Sequence, residues 1–148
     1  MPDITRQEFS DLLAFRTALR GFLQWSERAA RDAGLTPAQH QLLLSIKGHT
    51  GERPPTISEI SDHLLLRHHS AVELIDRAQR CGLVERWPDP EDGRIVRIRL
   101  TPTGDRRLEE LTALHRAEIK LHSLVVRYLD LTELARITSV LEGFGQAG

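Results

Sequence analysis

One dense turn signal restricts the folds that are open to this chain. The residues Pro88 to Gly93 read Pro-Asp-Pro-Glu-Asp-Gly and separate two short strand patterns, residues 83–87 and 94–100. Asp-Gly between such patterns is a strong hairpin signal. In the second strand, apolar residues alternate with the others along the chain, as in a half-buried strand. Elsewhere apolar residues recur at three- and four-residue steps, which is the helical period. The sequence therefore predicts a mainly α fold with a small β-wing.

Two segments before this hairpin have the pattern of a capping box, in which a threonine and a side chain three residues later cap a helix start. Thr36 to Gln39 predicts a helix over residues 38–47, and Thr56 to Glu59 opens a shorter helix. A tight turn then leads to a helix over residues 67–81, ended by Gly82. Two short helices joined in this way are typical of a helix-turn-helix, although periodicity alone fits a plain helical hairpin equally well.

Long amphipathic helices are predicted at both ends of the chain. The first covers residues 5–33 and ends at Gly34, and two more follow the hairpin, over residues 103–129 and 132–144. We therefore expect residues 1–148 to form one domain. Its winged-helix lobe covers about residues 35–103, and the flanking helices cover about residues 5–33 and 104–144.

Composition excludes several classes of protein. The chain has 148 residues, a formal net charge of −1 and one cysteine, so it has no internal disulfide and no cysteine-based zinc finger. It lacks the apolar run of a membrane helix and the features of a signal peptide, and we expect a cytoplasmic protein with no membrane partner. Residues 64–108 contain nine arginines and seven acids. Arginine suits bidentate contacts to phosphate and guanine.

The motifs, in this order and at this spacing, resemble the MarR family of winged helix-turn-helix transcriptional regulators over nearly the whole chain. Asp89-Pro90-Glu91-Asp92-Gly93-Arg94 is similar to the D-x-R wing tip of that family, and Leu100-Thr101-Pro102-Thr103-Gly104 is similar to its L-T-P-x-G return into a long helix. The resemblance implies a winged helix-turn-helix domain with N- and C-terminal dimerisation helices. It also implies a sequence-specific regulator, expected to be a repressor, that binds double-stranded DNA as a homodimer on a palindromic operator.

The resemblance implies a set of DNA-binding residues. Arg94 matches the arginine that enters the minor groove, and Asp92 matches the acid that orients the wing through an arginine such as Arg77 or Arg97. The other expected contacts come from the helix over residues 67–81, which the resemblance implies is the recognition helix and whose N-terminus attracts phosphate. The complete set is Arg67, His68, His69, Ser70, Glu73, Arg77, Asp92, Arg94 and Arg97.

The resemblance also implies a dimer interface and a cleft for a small aromatic effector. The interface candidates are Phe9, Leu12, Phe15, Leu124, Val125, Leu134, Ile137 and Leu141. The residues available to line the cleft are Arg16, Trp25, His40, Leu43, Lys47 and His115. Each set has a structural alternative, because apolar side chains also form cores and charged ones also face solvent.

Other functions have weaker support in the sequence. His115 and His122 lie seven residues apart with Glu118 between them, a spacing that a zinc-responsive member of the family would need. Adjacent His68 and His69 point about 100° apart and cannot share an ion in the manner of i, i+4 ligands. Cys81 is expected to be a small buried residue. We expect no cofactor, no metal and no enzymatic activity, and the remaining alternative is a winged-helix protein-interaction module without DNA binding.

Overall fold

The structure is a computed structural model that describes residues 3–125, 139, 140 and 142–144, excluding the side chains of residues 121–125. Contacts divide the chain into two compact units, Met1–Leu111 and Thr112–Gly148. The elements are α1 (Arg6–Asp32), α2 (Pro37–Lys47), α3 (Ile57–Leu64), α4 (His68–Arg80), β1 (Val84–Pro88), β2 (Val96–Leu100) and α5 (Pro102–Val125). None of the described helices is long and apolar enough to cross a membrane. The predicted mainly α fold with a small β-wing is confirmed.

Helix starts follow the sequence signals. Thr5, Thr36 and Thr56 each accept a hydrogen bond from the backbone N–H three residues later, and the side chain at that position caps the threonine in return. The box at Thr5 is absent from the prediction, although α1 begins within one residue of the expected start. Each box satisfies backbone donors that the helix itself leaves unpaired.

Two helix ends depend on glycine. Gly34 and Gly82 have φ of +77° and +71°, a left-handed conformation that glycine adopts without steric cost. In both places the next N–H bonds back into the last turn, from Leu35 to Ala30 O and from Leu83 to Ala78 O, each at 2.9–3.0 Å. These ends turn the chain sharply into α2 and into β1.

The core of the first unit lies between α2, α3, α4, the wing and the start of α5. α1 contributes only Ala30 to its buried residues. The largest fully buried aliphatic side chains are Leu42, Leu43, Ile60, Ile75, Val84, Ile98, Leu108 and Leu111. These residues come from six elements, so the helix-turn-helix and the wing share one core.

The strands of the wing are shifted from the predicted residues 83–87 and 94–100. β1 and β2 are antiparallel with Val84 opposite Leu100 and Pro88 opposite Val96, so residues 89–95 form a seven-residue loop. A turn does occur at the tip, where the N–H of Ile95 donates to Asp92 O at 2.9 Å. The sequence prediction also missed the segment before α3, where Ile98 N–H donates to Pro55 O at 2.9 Å and attaches that segment to β2.

The second unit contains the C-terminal part of α5 and the helical residues 139, 140 and 142–144. The predicted extension of α5 to residue 129 and most of the predicted last helix lie outside the described residues. The interface candidates Leu134, Ile137 and Leu141, and the side chains of Leu124 and Val125, lie outside them as well.

Candidate nucleic-acid interface

The first turn of α4 presents polar side chains to solvent. Arg67 is the N-cap residue and makes no side-chain cap hydrogen bond. Arg67, His68 and His69 are exposed and Ser70 is half-buried. The first backbone N–H groups of a helix have no partner within it, and they favour an anion such as phosphate. The start of α4 therefore combines such donors with side chains that can reach base edges.

One turn further along α4, Glu73 and Arg77 form an i, i+4 ion pair. Their nearest charged atoms are 3.7 Å apart, and both side chains are about two-thirds exposed, at 65% and 66%. An exposed pair of this kind is weak in water. Both side chains can therefore exchange this contact for one with a nucleic acid.

Arg94 projects from the tip of the wing. Its side chain is 92% exposed. Asp92 Oδ1 accepts hydrogen bonds from the backbone N–H and Nε of Arg94, at 3.1 and 3.0 Å, and Oδ2 accepts one from the guanidinium at 3.1 Å. These contacts with Arg94 hold the pKa of Asp92 below its usual range. The tip thus presents one exposed cation whose orientation is set by the acid two residues before it.

The acid that fixes the base of the wing is Asp89, which corrects the expectation for Asp92. Arg97 Nε donates to Asp89 Oδ2 at 2.5 Å, whereas Asp92 contacts Arg94 and Arg77 contacts Glu73. The Asp89 carboxylate also accepts the backbone N–H groups of Glu91 and Asp92, at 2.8 and 3.0 Å. The reason for the difference is geometric, because the seven-residue loop folds the Asp89 side chain back under the tip.

Asp89 is a buried carboxylate with several donors. Its side chain is 2% exposed and also accepts two hydrogen bonds from Arg53, both at 3.1 Å. The Arg97 guanidinium, followed by the loop N–H groups, holds the pKa of Asp89 far below its usual range. Arg97 is only 15% exposed and donates a further bond to Pro54 O at 2.9 Å. Arg97 therefore acts within the wing base and joins the wing to the segment before α3.

A second arginine joins the recognition helix to the wing. Arg86 on β1 donates to Asp76 Oδ1 at 2.6 Å and also to Gln79 Oε1, so one guanidinium bridges two turns of α4. The sequence analysis missed this contact. Asp76 and Gln79 are three residues apart and share a helix face, but nothing local indicates which arginine they meet.

A family model described as "MarR family" matches residues 33–95, which cover α2, α3, α4, β1 and the whole wing loop. YkoM of Bacillus subtilis (strain 168), an uncharacterized HTH-type transcriptional regulator, is 30% identical over 110 residues, with 71% of this chain and 68% of YkoM covered. The chain belongs to the MarR family.

Two further relatives come from the same Bacillus strain. The HTH-type transcriptional repressor MdtR is 28% identical over 108 residues, which cover 73% of this chain and 68% of MdtR. The uncharacterized regulator YsmB is 46% identical over 56 residues, and the match spans only 38% of either chain. Both relatives are named as HTH-type transcriptional regulators or repressors.

Solved structures agree with the fold. The crystal structure of a MarR family transcription regulator has a TM-score of 0.74 and 25% identity, covering 95% of this chain and 89% of the other. BpsR of Bordetella bronchiseptica is described by the mechanism through which 6-hydroxynicotinic acid regulates its DNA binding. It has a TM-score of 0.66 and 20% identity, and the match covers all of both chains. The latter likeness concerns the fold alone.

The candidate effector residues of this MarR-family chain do not all lie together. An open groove of about 480 Å³ lies beside Lys47, Arg99, Pro102 and Asp105, and of the six candidates only Lys47 lines it. Leu43 is fully buried in the core, which removes it from contact with any ligand in this structure. Trp25 is half-buried beside Phe22, His40 is buried, Arg16 is exposed, and His115 is half-buried in the second unit.

Two sequence expectations concern metal and thiol chemistry. Across the described residues, no three His, Cys, Asp or Glu side chains are grouped so as to hold a metal, and the side chain of His122 lies outside them. Cys81 is exposed, contrary to expectation. The reason is its place at the C-cap of α4, beyond Ala78, the last buried residue of that helix. Its sulfur accepts a contact from Gln39 Nε2 at 3.7 Å.

Proposed function

We propose that this chain is a homodimeric transcriptional repressor that binds a palindromic DNA operator and is released by a small aromatic effector. The observation that carries the DNA-binding part is Arg94, 92% exposed at the tip of a wing whose base is fixed by a buried carboxylate. A wing that is fixed at its base and presents a highly exposed arginine, held by Asp92, at its tip is suited to the negative potential of a narrow minor groove.

The recognition helix supplies the second contact with DNA. The exposed first turn of α4, from Arg67 to His69, is suited to phosphates and base edges of the major groove. Arg86 holds α4 against β1, so the helix and the wing meet the duplex as one unit. Glu73, one turn further on, is suited to accept from cytosine N4.

The dimer is supported by an exposed apolar stripe on α1. Phe9, Leu12 and Phe15 are 50–62% exposed, and further apolar side chains continue the stripe to Leu23. A contiguous apolar surface of this kind marks an interaction site. A twofold dimer presents two α4 helices to successive half-sites, and the operator is then an imperfect palindrome.

Repression and release by an effector are supported by similar proteins and by the groove near Lys47. MdtR is named as a repressor, and the DNA binding of BpsR responds to 6-hydroxynicotinic acid. The groove beside Lys47 and Arg99 has the volume that binds small molecules. Lys47 pairs with Asp105 at 2.7 Å and Arg99 pairs with Glu85 at 2.6 Å, and an aromatic carboxylate would take the place of one of these acids. An effector acts only through different affinities for DNA-competent and DNA-incompetent states.

The test is fluorescence-anisotropy titration of the full chain with the DNA upstream of its own gene, over a salt series. We expect tight binding whose logarithm falls steeply with the logarithm of salt concentration. Arg94→Ala is expected to weaken operator binding by about 10- to 100-fold. Arg31→Ala, which removes an exposed arginine of α1 that pairs with Glu27, is the matched control.

Each result discriminates between functions. Loss of operator affinity in Arg94→Ala with little change in Arg31→Ala supports the wing assignment. Equal affinity of wild type and Arg94→Ala contradicts it. Binding no stronger than to random DNA, and insensitive to salt, favours a protein-interaction module in place of a DNA regulator.

A further inference from the structure

Two histidines outside the proposed DNA and effector sites face each other. His49 lies in the segment between α2 and α3, and His63 lies in the last turn of α3. His49 Nδ1 is 3.0 Å from His63 Nε2, and the rings meet edge to face with their centroids 5.3 Å apart. The side chain of His49 is only 13% exposed, so this ring is held in place rather than free in solvent.

The separation of the two nitrogens suits a shared metal ion. Imidazole nitrogens bind divalent transition metals at about 2.0–2.1 Å. When the nitrogen–metal–nitrogen angle lies between about 90° and the tetrahedral value, the two nitrogens are roughly 2.9–3.4 Å apart. The observed 3.0 Å lies within that range. A direct hydrogen bond between the two rings is the alternative that the experiment must separate from an ion.

A carboxylate lies on the other side of the His49 ring. Glu59 Oε2 is 3.6 Å from His49 Nε2. The same oxygen accepts the backbone N–H of Thr56 at 2.8 Å, which fixes the carboxylate at the start of α3. A metal-binding histidine commonly directs its second ring nitrogen to a carboxylate, which orients the ring and raises its basicity. Glu59 is therefore placed to orient His49 rather than to bind the ion itself.

A glycine makes room for the ring. A Cβ atom on Gly51 would lie 2.4 Å from His49 Nε2, which is too close for any real contact. The ring can occupy this position only because residue 51 has no side chain. Together the glycine, the carboxylate and the second histidine form a shaped site for His49.

We propose that His49 and His63 bind one divalent cation of the Cu²⁺, Ni²⁺ and Zn²⁺ series, with water in the remaining positions. Two imidazoles without a thiolate or a further carboxylate ligand favour these borderline cations over Mg²⁺ or Ca²⁺. The described residues offer no third protein ligand. The ion connects the segment after α2 to α3, the first helix of the helix-turn-helix.

The experiment is calorimetric titration of the full chain with Cu²⁺ and, separately, with Zn²⁺ at about pH 7.5, where imidazole is mostly neutral. We expect binding that weakens at least tenfold in His49→Gln and equally in His63→Gln, because both remove a ligand of the same ion. Gly51→Ala is expected to weaken it as well by displacing the His49 ring. His69→Gln, which removes an exposed histidine on α4, is the matched control and is expected to retain the affinity.

A second measurement is independent of any variant. The paramagnetic resonance spectrum of the Cu²⁺-loaded wild-type chain should contain hyperfine structure from two imidazole nitrogens. Wild-type binding that neither His49→Gln nor His63→Gln weakens would overturn the proposal. Binding lost in only one of the two variants, a spectrum without two imidazoles, or no binding of either cation would overturn it too, and the last result would leave a direct hydrogen bond between the rings.

Discussion

At the scale of single residues, one buried carboxylate organises the wing. Asp89 receives two arginine side chains and two backbone N–H groups, and it thereby joins the wing loop, β2 and the segment before α3. Asp92, the acid of the D-x-R motif, contacts only its neighbour Arg94 among the charged side chains in the described contacts. Two acids three residues apart therefore have separate roles, one in positioning the wing and one at its tip.

Replacing Asp89 by asparagine should destabilise the protein at neutral pH. Asparagine cannot accept all four donors as an anion, and we expect the melting temperature to fall by roughly 5 °C. Asp92→Asn is the control and should change the melting temperature less, because Arg94 is exposed. Thermal unfolding monitored by circular dichroism measures both variants. A melting temperature for Asp89→Asn equal to that of wild type would contradict the role of Asp89.

The same carboxylate predicts a pH dependence. The pKa of Asp89 is lower in the folded state than in the unfolded chain because Arg97 stabilises its charged form. Its stabilising contribution is therefore complete above the pKa of an aspartate in the unfolded chain, about 4. It is lost as pH falls from there toward the lower pKa of the folded state. Urea unfolding at several pH values, from neutral down to about pH 2, should show that the free energies of unfolding of wild type and Asp89→Asn become equal in acid. A constant difference between them would contradict this assignment.

At the scale of elements, a glycine determines how α5 leaves the wing. A Cβ atom on Gly104 would lie 2.0 Å from the carbonyl oxygen of Leu83, so α5 starts in direct contact with the backbone before β1. Thr101 strengthens this junction, because its hydroxyl donates to Gly82 O at 2.6 Å and accepts the N–H of Gly104 at 3.0 Å. The L-T-P-x-G motif is thus a backbone junction between two elements.

Gly104→Ala should therefore be costly. The methyl group must displace backbone rather than a flexible side chain, and we expect a loss of about 1–3 kcal/mol or more in the free energy of unfolding. Gly21→Ala is the control, because nothing lies within 4 Å of a Cβ atom at that position of α1. Removing a glycine from a helix interior should raise stability by about 0.5–1 kcal/mol. Urea unfolding measures both variants. A Gly104→Ala variant with the same free energy of unfolding as wild type would contradict the close contact between Gly104 and the Leu83 backbone.

The contact between α4 and β1 predicts coupling between two residues. Arg86→Ala and Asp76→Ala remove the same ion pair, so their effects on the free energy of unfolding should be non-additive by about 0.5–3 kcal/mol. The control is the pair Arg99 and Glu85 within the wing, which has the same 2.6 Å separation and an equally exposed acid, but whose arginine is 48% exposed against 32% for Arg86. Its coupling should be smaller. A double-mutant cycle with equal coupling in both pairs would contradict a special role for Arg86.

At the scale of the whole molecule, α1 has apolar residues that the described part of the chain leaves exposed. The stripe from Phe9 to Leu23 follows the helical period, yet only Ala30 of this helix is buried. We expect Leu12→Asp to weaken a dimer about 100-fold or more, because it buries an unpaired charge at each copy of the interface. Ser10→Asp, on the opposite side of α1, is the control. Light scattering over a concentration series measures the dimer dissociation constant of both variants. If Leu12→Asp has the same dissociation constant as wild type, the interface lies elsewhere.

The sequence by itself determined the local structure of this protein. Threonine caps, the glycines at positions 34 and 82 and the Asp-Gly turn act within a few residues, so their patterns predicted helix starts, helix ends and a wing correctly. The order of these signals also identified the MarR family. The candidate contacts at the start of α4 and at Arg94 came from the resemblance to that family. Arg67, His68, His69 and Arg94 are exposed in the structure, and their contacts with DNA stay a prediction.

Only the tertiary structure decided which distant side chains meet. It paired Arg97 with Asp89 rather than Asp92, enclosed Leu43, exposed Cys81, connected Arg86 to α4 and brought His49 against His63. The physical reason is that an ion pair or hydrogen bond forms only when its two atoms are placed to within a few tenths of an ångström of the right separation. Those separations are set by how helices and strands pack together, and no spacing along the chain specifies them.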